Sequence, residues 1–312
     1  MTWDRVERLI GAKNLQRLAA SKVGIIGLGS GGSFVAQCLA MSGVGKFTLV
    51  DDDTVEEVNI PRHVADRRDL GRPKAEAMAD LIRLRNPEAQ AEARVGRIEA
   101  HIDALDDLDI VVVAVDVEQV KYIINEACLK RQLPAVYAGV YERGEGGDVV
   151  VIYPTAGPCY ACWAAKLREG IVPDEADEAL DYGMIGPDGT LEAEPGLWPH
   201  VVRVAAVQAE FVINELLRQG EGYYQFPTNT VILANHAIEI ITGEVTPPHS
   251  AIWVQVDRDP NCLVCGEKIR AHATDEHEAV SAFSLHDLAG ETGIEVADED
   301  IEEEPQPRKN QP

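Results

Sequence analysis

From Lys22 to Asp51 the chain reads "KVGIIGLGSGGSFVAQCLAMSGVGKFTLVD". A short apolar run, "KVGIIG", meets Gly27, Gly29 and Gly32 in the spacing G-x-G-x-x-G. A stretch suited to a helix comes next, from about Gly32 to Met41, and a second apolar run, "KFTLVD", closes on an acid. Two parallel strands joined through a helix cross over in essentially one hand, which confines the fold to a few α/β topologies. The glycines permit a tight bend and close backbone approach. The helix N-terminus behind them offers free N–H groups to phosphate, and Asp51 is placed to bond ribose hydroxyls. On its own the turn reads as an NAD site. Flavins, S-adenosylmethionine and ATP use similar turns, so it specifies a nucleotide more firmly than which one.

The rest of the pattern extends this unit. Residues 4–20 carry Val6, Leu9, Ile10, Leu15 and Leu18 at helical spacing. Lys74 to Leu84 reads as a helix and "AQAEARV" (89–95) as a strand. "DIVVVAV" (109–115) lacks alternation, as a strand buried on both faces should. A helix over Val117 to Arg131 and the strand "PAVYAGV" (134–140) come after it. Strands alternating with helices predict a doubly wound, Rossmann-like, largely parallel sheet. After residue 147, "GDVVVIY", "NTVILAN" and "SAIWVQVD" predict antiparallel additions, with a helix over 200–218 between them.

Charge removes some classes of partner. The net charge is −25, which disfavours nucleic acid and anionic membrane surfaces, since both need basic groups to bind. Seven acids fall within Glu295 to Glu304, and that tail reads as solvated and disordered. No apolar run is long enough to span a bilayer, and "MTWDRVERLI" has no apolar signal-peptide core. A cytoplasmic protein is expected, where six cysteines serve better as metal ligands and buried thiols than as disulfides.

The loop after Asp51 departs from a dehydrogenase. "DDDTVEEVNIPRH" sets Asp51, Asp53, Asn59 and Arg62 on one loop, and "GRPKAE" adds Lys74. Fixed cations just past a ribose acid suit an enzyme that splits a triphosphate, whose transition state gathers charge on phosphoryl oxygens. Asp116 comes after the fourth strand at the carboxyl edge, where a carboxylate can hold Mg²⁺ beside phosphates.

With these residues the chain resembles the ThiF/MoeB/HesA superfamily of ubiquitin-activating-type adenylyltransferases over about residues 5–266. The resemblance is carried by "GIIGLGSGGSFVAQCLAMSGVGKFTLVDDDTVEEVNIPRH", "GRPKAEAMADLIRLRNPEAQ", "VVVAVD" and two C-x-x-C pairs. It implies ATP-dependent adenylation of the C-terminal carboxylate of a ubiquitin-like or sulfur-carrier protein with a Gly-Gly type end. It places Gly29 against the nucleotide and Asp51 on the ribose; Gly27, Gly32 and Asp53 stand with them as cofactor-binding candidates from the turn and loop. Asn59, Arg62 and Lys74 would contact phosphates, and Asp116 would bind Mg²⁺. It also implies a homodimer in which an N-terminal arginine, Arg8 or Arg5, reaches the partner's ATP.

"CYAC" (Cys159, Cys162) and "CLVC" (Cys262, Cys265) present two thiolates each, and together they complete a closed structural zinc site. A redox pair is the competing reading, though "CYAC" lacks the thioredoxin-like setting. His272 and His277 could also ligate but read as surface residues. From Trp163 to Asn261 there is no cysteine, and Cys38 and Cys128 sit at core-like helical positions. Without a nucleophile, the adenylate itself should be handed on. The acidic stretch 171–198 could steer a carrier whose tail is basic. The chain thus divides into an N-terminal helix (1–20), a nucleotide-binding part (21–155), a zinc- and carrier-binding part of the same domain (156–270) and the tail (271–312). Three competing activities remain. One is adenylation of a small peptide. Another is dehydration of a modified tRNA adenosine, which the charge disfavours. The third is a non-catalytic nucleotide-fold binding module. An NAD oxidoreductase lacks its catalytic His or Tyr-x-x-x-Lys.

Overall fold

Gly11, at φ +83°, ends one helix and starts another, so the N-terminal segment forms α1 (Asp4–Ile10) and α2 (Ala12–Ala20). The single helix expected over 4–20 is therefore corrected. Its apolar spacing continues across a residue whose backbone takes a conformation that only glycine adopts freely. Leu18 is fully buried, but Leu9 stands 84% exposed.

This computed structural model describes residues 3–167, 183–185, 191–193, 196–218, 220, 223–241 and 244–267. Residues up to Gly266 form one compact unit. The acidic tail, His272 and His277 lie outside the described residues, as does most of the 171–198 stretch.

The elements keep the predicted alternation. β1 (Lys22–Ile26), α3 (Ser30–Met41) and β2 (Lys46–Asp51) form the first crossover. After 3-10 turns at Glu57–Arg62 and Arg67–Asp69 come α4 (Lys74–Arg85), β3 (Gln90–Val95), β4 (Ile110–Val113), α5 (Glu118–Lys130) and β5 (Ala135–Val140). β6 (Gly146–Ile152) and α6 (Tyr160–Leu167) are next, then a two-stranded pair, β7 (Gly183–Ile185) with β8 (Leu191–Ala193). α7 (Trp198–Leu216), β9 (Thr230–Ala234), the pair β10 (Ile238–Ile241) and β11 (Glu244–Thr246), and β12 (Ala251–Val254) complete it.

One eight-stranded sheet runs β12-β9-β6-β5-β4-β1-β2-β3. The five strands from β5 to β3 are parallel, and β6, β9 and β12 add on antiparallel. The Rossmann-like doubly wound sheet with antiparallel additions is thus the observed architecture. All four residues of β4 are buried, which explains the unalternated apolar run. Chain order reverses between β1 and β4, and such a switch point opens a crevice at the carboxyl ends of the strands. Register aligns those ends, since Ile26 pairs with Val50 on one side and Val113 on the other. The residues just beyond them, Gly27, Asp51 and Ala114 to Asp116, are therefore brought to one place. α7 packs across α3 and β5, and Gln208 donates to the carbonyls of Val113 (3.1 Å) and Val136 (2.9 Å), tying neighbouring strands beneath the crevice.

Candidate active site and metal centre

A cleft of about 630 Å³ opens at the switch point. Gly27, Gly29, Asp51, Asp53, Asn59, Arg62, Lys74 and Asp116 all line it. Two of the sequence candidates do not. Gly32 lies within α3, where a Cβ would overlap the Gly27 carbonyl, so it serves close packing of the helix on the turn. Arg8 lies on α1, 72% exposed, and pairs with Asp4 at 2.5 Å.

The turn has the shape that phosphate binding needs. Gly27 is at φ +86° and its backbone abuts the Ala114 carbonyl. Gly29 precedes α3, and a Cβ added there would meet no atom within 4 Å. The space above Gly29 is therefore open to a ligand at a helix N-terminus. Asp51 holds this turn. One carboxylate oxygen accepts the Leu28 N–H (2.6 Å), and the other accepts the Asp53 N–H (2.9 Å). Burial raises the Asp51 pKa, against the pull of these two donors and of Lys74.

The cations come from two local structures. Asn59 Oδ1 accepts the Glu56 N–H (2.9 Å), fixing the amide at the start of the 57–62 turn. Arg62 lies three residues on, and residues at that spacing on a 3-10 turn share a face. Lys74 opens α4. Its N–H donates to the Asp53 carbonyl (2.9 Å), and its ammonium meets Asp53 Oδ2 at 2.6 Å. Lys74 is 9% exposed at its side chain and Asp53 66%, so the partner carboxylate faces solvent while the lysine is held in place. Asp116 stands exposed in the loop between β4 and α5, a carboxylate able to meet a divalent cation.

Some residues of the cleft carry no signal in the sequence. Lys121, in the first turn of α5, is buried and pairs with Glu118 at 3.4 Å. His63 and Gln208 also line the cleft, both buried. Arg97 reaches Asp52 at 3.1 Å at its rim. Only His63 has a local cue, its place next to Arg62 in "NIPRH".

The four paired cysteines meet in space. All six cysteines are free. The Sγ atoms of Cys159, Cys162, Cys262 and Cys265 lie within 4.8 Å of one another, with contacts of 3.5 and 3.8 Å. A tetrahedron of Zn–S bonds about 2.3 Å long has S–S edges of about 3.8 Å, so the cluster has the size that zinc requires. The Val264 N–H points to Cys262 Sγ (3.4 Å). With four thiolates, no coordination position remains for substrate.

The knuckle reaches the cleft. Tyr160, between Cys159 and Cys162, donates its hydroxyl to Glu118 (3.0 Å), the partner of Lys121. Tyr160 N–H also bonds Asn125 Oδ1 of α5 (3.0 Å).

Comparison with known proteins identifies the family and the fold. The ThiF family model matches residues 4–251. The SAMP-activating enzyme E1 of Haloferax volcanii is 32% identical over 263 residues, covering 83% of this chain and 85% of that protein. The sulfur carrier protein adenylyltransferase of Thermus thermophilus is 29% identical over 278 residues, covering 86% and 91%. E. coli MccB, solved with ATP, shares the fold with a TM-score of 0.61 at 22% identity, covering 81% of this chain and 69% of that one. No helix of the described residues is long and apolar enough to cross a membrane. With its glycine turn, its cation-lined cleft and this match along most of its length, the chain belongs to the ThiF family.

Proposed function

We propose that the chain is an ATP-dependent adenylyltransferase that activates the C-terminal carboxylate of a ubiquitin-like or sulfur-carrier protein ending in Gly-Gly. The observation that carries this is the convergence of Asp51, Asn59, Arg62, Lys74 and Asp116 on one cleft beside an open glycine turn. The carrier carboxylate attacks the α-phosphorus of ATP, an acyl–phosphate bond forms, and the bond to pyrophosphate breaks. No general base is needed, because the nucleophile is already ionised at neutral pH. Arg62 and Lys74 lie where charge develops on the phosphoryl oxygens. Asp116 would hold Mg²⁺, which neutralises phosphate charge when bound. Catalysis rests on positioning and fixed charge.

The acyl-adenylate leaves without an enzyme thioester. Burial pushes the Cys128 thiol up to about 12, and Cys38 is half-buried against the core with its pKa also raised by burial. Neither is a ready thiolate. The four remaining cysteines form the four-thiol cluster that fits zinc. On this reading the protein works in the cytoplasm as a homodimer, with Arg8 reaching the partner's nucleotide. Adenylation of a small peptide is the second reading, which the missing nucleophile suits equally.

ATP–pyrophosphate exchange with Mg²⁺ tests the proposal, with and without candidate carriers ending in Gly-Gly. Exchange dependent on one carrier supports it and names the partner. Exchange with a short peptide alone selects the second reading, and no exchange with either removes the activity.

A further inference from the structure

Leu28 is the residue inside the glycine turn, between Gly27 and Gly29, and its side chain is fully buried. Its peptide groups are held from two sides. Its N–H donates to Asp51 Oδ2 (2.6 Å), and its carbonyl oxygen lies 2.7 Å from His63 Nε2. His63 is itself oriented, because the Ala65 N–H donates to its Nδ1 (2.9 Å). A ring nitrogen that accepts an N–H carries no proton, so the imidazole is neutral with its hydrogen on Nε2, which donates to Leu28. His63 is 6% exposed and lies at the cleft. Asp51 and His63 thus grip one residue of the turn, one by its N–H and one by its carbonyl. Gly29, the residue next in the chain, faces the open space where phosphate would lie.

We propose that His63 is a positioning residue for nucleotide. As the neutral Nε2–H tautomer it completes, with Asp51, a clamp on Leu28 that sets the glycine turn in its binding shape. Protonation at Nδ1 removes the acceptor for the Ala65 N–H and so releases the ring. The surroundings favour the neutral state. Burial lowers the His63 pKa, and Lys74 on α4 lowers it further; the Leu28 carbonyl and Asp69 of the 67–69 turn pull the other way. The clamp therefore holds at neutral pH and fails on the acid side, below the ordinary imidazole value of about 6.5. In linkage terms, the unfolded chain binds the proton more readily than the folded one. The contribution of His63 to stability is complete above that value and is lost as pH falls through the folded pKa.

The inference rests on the proposed nucleotide site, and its test reads ATP binding alone, without a carrier. The affinity of the full chain for ATP with Mg²⁺ is measured by calorimetry from pH 5 to pH 8 for wild type, His63→Ala and His63→Gln, alongside thermal melting. Glutamine can donate to Leu28 and accept from Ala65 but does not titrate. At pH 7.5, His63→Ala should weaken ATP about tenfold, as expected for losing one buried hydrogen bond, and His63→Gln should stay within about threefold of wild type. Wild type should lose affinity toward pH 5, while His63→Gln keeps a flatter profile. Two results overturn the clamp: a folded His63→Ala with wild-type affinity, or a folded His63→Gln whose acid limb matches wild type. A wild type that binds no ATP overturns the nucleotide site and the clamp together.

Discussion

The Lys74 ammonium lies 2.6 Å from Asp53 Oδ2, and the two ends of this pair differ in exposure. Lysine is locked into the cleft wall and aspartate stands in solvent. An arriving triphosphate can take over the lysine, while water solvates the aspartate it leaves. Lys74→Ala should therefore lower pyrophosphate exchange by about 10²-fold or more, the effect of losing one fixed electrostatic donor. Its fold should survive, because the orphaned carboxylate is exposed. Near-normal exchange in a folded Lys74→Ala would deny the lysine its role.

The glycines of the turn separate by function. At Gly29 an added Cβ meets open space, and at Gly32 it meets the Gly27 carbonyl. Gly29→Ala should melt within about 2 °C of wild type, because nothing in the fold is displaced. It should still bind ATP at least tenfold more weakly, because the methyl enters the space left for phosphate. Gly32→Ala should lower the melting temperature by several degrees, because backbone must move. Calorimetry and thermal melting together read both. Equal ATP affinity in Gly29→Ala would place the nucleotide elsewhere.

The four-cysteine cluster should hold one structural zinc ion. One zinc per chain is expected by elemental analysis. Cys262→Ser should lower both zinc content and melting temperature, since it removes one of four ligands. Tyr160→Phe leaves the cluster intact but deletes the hydroxyl on Glu118, so it should retain zinc and lose about 1 kcal/mol of stability. Substituting Cys38 by Ala should leave onward transfer of the activated carrier to an acceptor intact, which a thioester pathway through that residue would not allow.

Much of this arrangement is legible in residue patterns alone. Strand and helix differ in period, so the apolar runs around Val23, Leu49 and Val111 announce a parallel sheet. A glycine turn between such runs brings its own geometry. Arg62 and Lys74 are legible as a pair of cations because they come soon after Asp51. The C-x-x-C pairs carry their own pairing rule. The residues that stay hidden depend on tertiary distance. His63 acts on a carbonyl 35 residues away, and a single histidine beside an arginine carries no period. Lys121 looks like any lysine in the first turn of a helix until the fold buries it. The break at Gly11 is hidden because apolar spacing records faces of a helix and not the backbone angle of one residue. Gly29 and Gly32 look equivalent in the spacing, and only their surroundings separate ligand approach from packing.

Asp148, on β6, is 6% exposed and lies within the electrostatic reach of Lys121. Burial pushes its carboxyl up to about 7, offset in part by Lys121, Tyr141 and the Gly139 N–H, while Glu118 adds to the rise. In the unfolded chain an aspartate titrates near 3.9. Between those values the folded state holds more protons than the unfolded one. The stabilisation is complete below about pH 4 and is lost as pH rises through about 7. Three pKa units correspond to roughly 4 kcal/mol as an upper bound. Asp148→Asn does not titrate, so its melting temperature relative to wild type should improve by several degrees between pH 5 and pH 8. Lys121 keeps Glu118 as its partner, so the substitution does not strand a buried cation. Thermal melts of both proteins at pH 5, 6, 7 and 8 give the comparison. A difference that stays constant with pH would mean that Asp148 is ionised throughout, held by Lys121 more strongly than burial opposes it.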